Sequence, residues 1–107
     1  MSTFRELTHR DENLSHLVVL TVYAKADVAV CGRILQRLSL HRVVVERIVA
    51  DFSRFDHRGI RGLEGIESPP VRISVAASIA DHHQLERITK ALNKLVDVYK
   101  IQHTFRL

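Results

Sequence analysis

Tryptophan is absent from this chain of 107 residues and only 6% of them are aromatic, so a surface that stacks nucleic-acid bases is not expected. A single cysteine, Cys31, excludes an internal disulfide framework and any paired-cysteine metal or redox motif, which suits a reduced, cytoplasmic setting. No apolar run approaches the roughly eighteen residues needed to cross a bilayer, so no membrane contact is expected. Residues 1–15 are polar and charged, unlike a secretory leader, and read as a flexible N-terminal tail. Charge of one sign nowhere forms a block. The net charge of +4 is divided between residues 25–50 and 71–107, whereas a nucleic-acid footprint clusters on one face. Both prolines and three of the four glycines fall within residues 51–70, which marks that stretch as one long loop. Everything else, 16–107, reads as a single domain.

What is present is a regular succession of apolar patterns. His16–Ala24 is rich in β-branched residues and apolar on both faces, the mark of a central strand. Asp27 is placed to cap a helix beginning at Val28, with Val28, Cys31, Ile34, Leu35 and Leu38 as its inward stripe. A second strand is expected over Val43–Phe52 and a third, strictly alternating, over Val71–Ile79. The loop between them is long enough to be mobile, functional or both. Asp81 and Gln84 resemble a capping box opening a helix with Leu85, Ile88, Leu92 and Leu95 facing the core. Val96–Gln102 is expected to close the domain. The order strand, helix, strand, strand, helix, strand predicts an α+β, ferredoxin-like βαββαβ fold: a four-stranded antiparallel sheet with two helices on one face.

Few residues suggest chemistry. The RNA-binding form of this fold needs aromatics on its central strands, and only Tyr23 is available. Seven histidines invite a metal, but His82 and His83 diverge by roughly 100° on a helix, and His41, His57 and His103 show no ligand spacing. Cys31 lies on an apolar stripe and reads as a core residue. With no nucleophile, base or carboxylate pair in evidence, no enzymatic activity, metal or cofactor is expected. Two features remain. The turn from the first strand into the first helix, Lys25, Ala26, Asp27, Val28, Ala29 and Val30, offers helix N-terminal amides to an anionic group. The second strand is expected at a sheet edge, where Val43, Val44, Val45, Ile48 and Val49 carry no charge, while the opposite edge carries Asp97 and Lys100. Self-pairing of second strands in a two-fold homodimer accounts for that asymmetry.

Residues 85–101, LERITKALNKLVDVYKI, resemble the second helix and last strand of the ACT domain in the small regulatory subunit of acetohydroxyacid (acetolactate) synthase. Leu85, Ile88, Thr89, Lys90, Leu92, Asn93, Lys94, Leu95, Asp97, Val98 and Lys100 follow that family's habit. Arg33-Ile34, Leu38 and Glu46 can be laid over its first helix and second strand, so the likeness spans about 16–102. The resemblance implies a non-catalytic, dimeric regulator that binds the thiamine-diphosphate-dependent catalytic subunit in branched-chain amino-acid biosynthesis. It also implies effector sites at the ACT dimer interface. The family's first loop carries Asn and then Pro-Gly; Ala26, Val28 and Ala29 stand there instead. Ala26 can neither donate to a carboxylate nor accept from an ammonium group, so branched-chain amino acids are expected to bind weakly or not at all. A stand-alone small-molecule sensor or adaptor for another enzyme is the second reading. A third, anion or RNA binding by Arg54, Arg58 and Arg61, is weakened by Asp51, Asp56, Glu64 and Glu67 among them.

Overall fold

A computed structural model describes residues 16–105; the tail expected over 1–15 lies outside the described residues. The elements run β1 (His16–Ala24), α1 (Val28–Leu40), β2 (Val44–Asp51), β3 (Val71–Ile79), α2 (His82–Asn93) and β4 (Val98–Phe105). The sheet is antiparallel in the order β2-β3-β1-β4, which places β1 and β3 centrally and β2 and β4 at the edges. This is the ferredoxin-like βαββαβ arrangement that the periodicity predicts. Val18, Leu20 and Val22 of β1 and Ile73, Val75 and Ala77 of β3 point to the helices and are buried. Ile34 and Leu38 of α1 and Leu85, Ile88 and Leu92 of α2 complete that core. Burial of such side chains contributes about 1.5–3 kcal/mol each relative to exposure.

Several details differ from the sequence pattern. β2 is one residue shorter at each end than the expected Val43–Phe52, and α2 stops at Asn93, so Leu95 packs against the core from beyond the helix. The inward stripe of α1 is Val30, Ile34 and Leu38, at i, i+4 and i+8, while Val28 is 74% exposed and Leu35 40%. The helix is turned so that Ile34 sits at the centre of contact, which throws the first-turn Val28 to solvent. β4 begins at Val98 and continues to Phe105, because Val96, 91% exposed, and Asp97 belong to a turn in which the Val98 amide donates to the Leu95 carbonyl. The long loop is packed against the sheet. Leu63 is fully buried, the Phe55 ring lies tilted against Tyr23 with centroids 6.3 Å apart, and the Arg72 guanidinium lies 4.8 Å above the Phe55 ring. His57, at a single 3-10 turn, is buried and donates from Nε2 to the Ile66 carbonyl. The loop therefore covers one end of the sheet face that the helices leave open.

The α1–β2 connection is tight. His41 closes the helix, Arg42 adopts φ 57°, and the amides of Arg42 and Val43 donate to the carbonyls of Ser39 and Leu38. This is a Schellman-type helix end with arginine where glycine is usual. It delivers the chain directly into the edge strand β2.

Candidate functional site

The junction Lys25–Val30 is a helix entrance occupied by its own cap. Asp27 is extended (φ −141°, ψ 129°), and its carboxylate accepts from the Ala29 amide at 2.9 Å. The Val30 amide donates to the Asp27 carbonyl at 3.0 Å, and the Asp27 amide to the Lys25 carbonyl at 2.8 Å. Of the three first-turn amides offered to an anion, those of Ala29 and Val30 are thus engaged within the chain. A carboxylate already stands where a ligand's negative group would go. Lys25, Ala26, Asp27, Val28 and Ala29 are exposed, and the Val30 side chain lies in the core. Nearby, the Lys25 amide donates to the Asp97 carbonyl and Arg33 forms an ion pair with the Asp97 carboxylate, tying the turn before β4 to α1.

The β2 edge divides its residues between two faces. Val43, which lies just before the strand, and Val45 and Ile48 are partly buried against the core beneath α1, whereas Val44 (63% exposed) and Val49 (45%) face the open side. A register shift between Val45 and Arg47 marks a β-bulge at Glu46, whose carboxylate accepts from the Ser78 hydroxyl at 2.9 Å. The bulge places Arg47 on the open face beside Val49, Ser74, Ala76 and Val19, around a shallow hollow of about 310 Å³. Asp51 ends the strand. Its carboxyl is held below the usual carboxylate range by the Ser53 hydroxyl and amide, with Arg72 adding to the effect.

A second concavity, which sequence reasoning missed, lies between α2 and β4. It measures about 320 Å³ and is lined by His82, Leu85, Glu86, Thr89, Lys90 and His103. The Phe105 ring meets both imidazoles edge-on, 5.8 Å from His82 and 5.6 Å from His103, so the histidines flank a hydrocarbon wedge. Ile101, His103 and Phe105 alternate along one face of β4; a strand ended at Gln102 hides that pattern. Above the groove, the Asp81 carboxylate caps α2 through the Gln84 amide at 2.8 Å, and the Gln84 side chain accepts from the Ala80 amide at 2.6 Å. The Gln84 amide bond, foremost, pulls the Asp81 carboxyl below its usual range.

Burial raises the Cys31 thiol above its ordinary value, which removes thiolate character. Among the described residues no three His, Cys, Asp or Glu side chains converge as metal ligands. None of the helices among the described residues is long and apolar enough to cross a membrane.

No family model matches the sequence, and no curated protein matches it. Solved structures do share its fold. The ACT domain from GTP pyrophosphokinase of Chlorobium tepidum is similar with a TM-score of 0.63 at 10% identity, over 84% of this chain and 99% of that one. The C-terminal domain of the MgtC protein from Mycobacterium tuberculosis gives 0.61 at 18% identity, over 90% and 92%. The P2 domain of the chemotaxis kinase CheA from Thermotoga maritima, solved in complex with the response regulator CheY, gives 0.54 at 17% identity, over 86% and 99%. These likenesses support the ferredoxin-like βαββαβ fold, which this chain shares with an ACT domain among others; the differing names of the three proteins show that the fold alone does not carry a function.

Proposed function

We propose that this chain is a non-catalytic regulatory module of ACT type that acts by binding another protein, with the acetolactate synthase catalytic subunit as the partner implied by the resemblance. The observation that carries the reading is local. Residues 85–101, which bear the resemblance, form α2 and the first half of β4 in a domain whose fold is that of an ACT domain. The test is co-purification of the chain with an acetolactate synthase catalytic subunit and measurement of turnover with and without it. Binding with a changed rate supports the assignment; no binding and no change in rate removes it.

A small-molecule sensor or adaptor for another enzyme is the second reading, and one observation favours its adaptor form. The self-capped Asp27 turn leaves little for a carboxylate ligand there, so loss of branched-chain amino-acid control accords with this site. Calorimetry with valine, leucine and isoleucine is expected to show no binding in the low micromolar range. A homodimer belongs to the proposal, as ACT modules of the resembled family assemble in pairs.

A further inference from the structure

The two sheet edges are unlike, and the difference runs against the charge pattern of the sequence. β2 carries a bulge at Glu46 with Arg47 beside it, two features that keep an edge from pairing. On β4 the charges that would serve this purpose are engaged elsewhere. Asp97 precedes the strand and pairs with Arg33, and Lys100 Nζ donates to the Arg61 carbonyl. β4 has a register shift of its own at Tyr99, but beyond it, from Ile101 to Phe105, the strand is regular, without Asp, Glu, Lys, Arg or Pro, and is paired only on the side of β1.

We propose that Ile101–Phe105 is a self-pairing edge through which two copies of the chain join antiparallel, making one continuous sheet. A two-fold axis at His103, perpendicular to the sheet, sets Ile101 opposite the partner's Phe105 on the helix side. On the open face it sets Gln102 opposite the partner's Thr104, and each pairing occurs twice. Apolar side chains meet apolar ones and an amide meets a hydroxyl, combinations that stabilise adjacent strands.

The surroundings of the strand favour a second copy over another peptide. Phe105 is 41% exposed at the end of the α2–β4 groove, where the partner's Ile101 would lie against it. Glu86 and Lys90 line the groove four residues apart and have no ionic partner among the described residues. Across the axis the two α2 helices run antiparallel, so each flank offers a carboxylate and an ammonium to a flank bearing the same two signs in reverse order. The interface is then neutral although the chain carries +4, and a peptide of single sign would satisfy only half of it.

Sedimentation of the full chain at about 50 μM, above a micromolar dissociation constant, should give the mass of a dimer. In a Cys31→Ala background, His103→Cys places two thiols opposite each other at the axis. Opposed residues in an antiparallel pair are about 4.5–5.5 Å apart at Cα, within disulfide range. Mild oxidation should link this variant into dimers and leave a Val49→Cys variant on β2 unlinked. Gln102→Lys with Thr104→Lys, both on the exposed face, should retain the native circular dichroism and weaken the dimer at least about tenfold through opposed like charges. A monomer at that concentration, a dimer that crosslinks through Val49→Cys, or an unchanged dimer in the double-lysine variant would each overturn the proposal. None of these readouts depends on the acetolactate synthase assignment.

Discussion

β2 and β4 bound the same sheet and have the same length, yet each is closed or left open by different means. β2 reads as the cleaner edge because Val43, Val44, Val45, Ile48 and Val49 carry no charge, but an extra residue at Glu46 breaks its ladder with β3. β4 reads as guarded by Asp97 and Lys100, but both are occupied by contacts to Arg33 and Arg61, and the strand beyond them is regular. A charge protects an edge only when it is free to stay in water beside that edge. Counting charges along a strand therefore leaves out whether the fold supplies a nearby counter-group. Both edges carry a register shift, at Glu46 on β2 and at Tyr99 on β4; what separates them is the stretch beyond it, bounded by Arg47 and Asp51 on β2 and free of charge over Ile101–Phe105 on β4.

The largest effect that tests the contrast lies on β2 itself. Val45 faces the core and Val44 the open side, one residue apart. Val45→Lys should lower unfolding free energy by about 2–3 kcal/mol, since an ammonium group displaces a packed side chain. Val44→Lys should stay within about 0.5 kcal/mol. Urea titration measures both. Sedimentation of Val44→Lys adds the assembly test: an intact dimer agrees with pairing through β4, and a monomer would show β2 to be the interface.

Deleting Glu46 should invert the comparison. Without the extra residue, Val45 faces the core, Arg47 the open side and Ile48 the core, so the alternation with Ala77, Ala76 and Val75 of β3 becomes continuous. The deletion variant is expected to fold with the same circular dichroism and to gain a second pairing edge. Its mass in sedimentation should then rise beyond the dimer with concentration. A mass equal to the parent's at all concentrations would show that the bulge is not what closes β2.

Much of this fold is legible in the sequence, because its strands alternate or run apolar and its caps are local. Asp27 and Asp81 cap the helices expected of them, and β1 and β3 begin and end at the expected residues. The phase of α1 was less accessible. Val28, Cys31 and Leu35 fit a helical stripe as well as Val30 does, and only packing against the sheet decides between them. The bulge was hidden for a related reason, since Val45-Glu46-Arg47 keeps the same composition whether or not the ladder skips a residue. The Lys25–Val30 turn and the β2 valines were visible as residue types, but their occupancy by internal hydrogen bonds and core contacts depends on tertiary structure. The α2–β4 groove joins residues far apart in the chain, His82 and Glu86 with His103, and no local pattern connects them.

The helix caps separate the two sides of the molecule at intermediate scale. α1 leans on β2 and α2 on β4. Asp27→Ala should cost about 1 kcal/mol and leave the dimer intact, because it loosens the helix remote from β4. At Asp81 the test is pH. Its carboxyl is depressed in the folded chain, so it contributes stability above its unfolded value, near about 3.9, and that contribution fades as pH falls through the folded value. The stability difference between the parent and Asp81→Asn should therefore be greatest near neutral pH and vanish in strong acid. A difference that grows on acidification would have the wrong sign for this cap.

The smallest effect, and the one that addresses the contrast most directly, belongs to Lys100. If its charge guarded β4, Lys100→Ala would strengthen self-association. The structure gives the side chain another use: Nζ donates to the Arg61 carbonyl, and the methylene chain passes 3.7 Å from where a side chain at Gly62 would begin. Gly62 itself has φ 94°, and its amide donates to the Glu64 carboxylate at 2.8 Å, so Lys100 clasps a turn held in a glycine conformation. That carboxylate is kept below its usual range by its own amide first, then by Gly62, with the Lys100 charge contributing least. The clasp is solvent-accessible and its loss should be worth no more than about 0.5 kcal/mol. It should nevertheless be visible locally. The Leu63 and Ile66 amides, which donate to the carbonyls of Ile60 and Leu63, should exchange with solvent faster in Lys100→Ala, while amides of β1 and β3 keep their protection. The dimer dissociation constant should be unchanged, since Lys100 lies one residue outside the paired segment. Tighter association without faster exchange at Leu63 would return Lys100 to the role of edge guard.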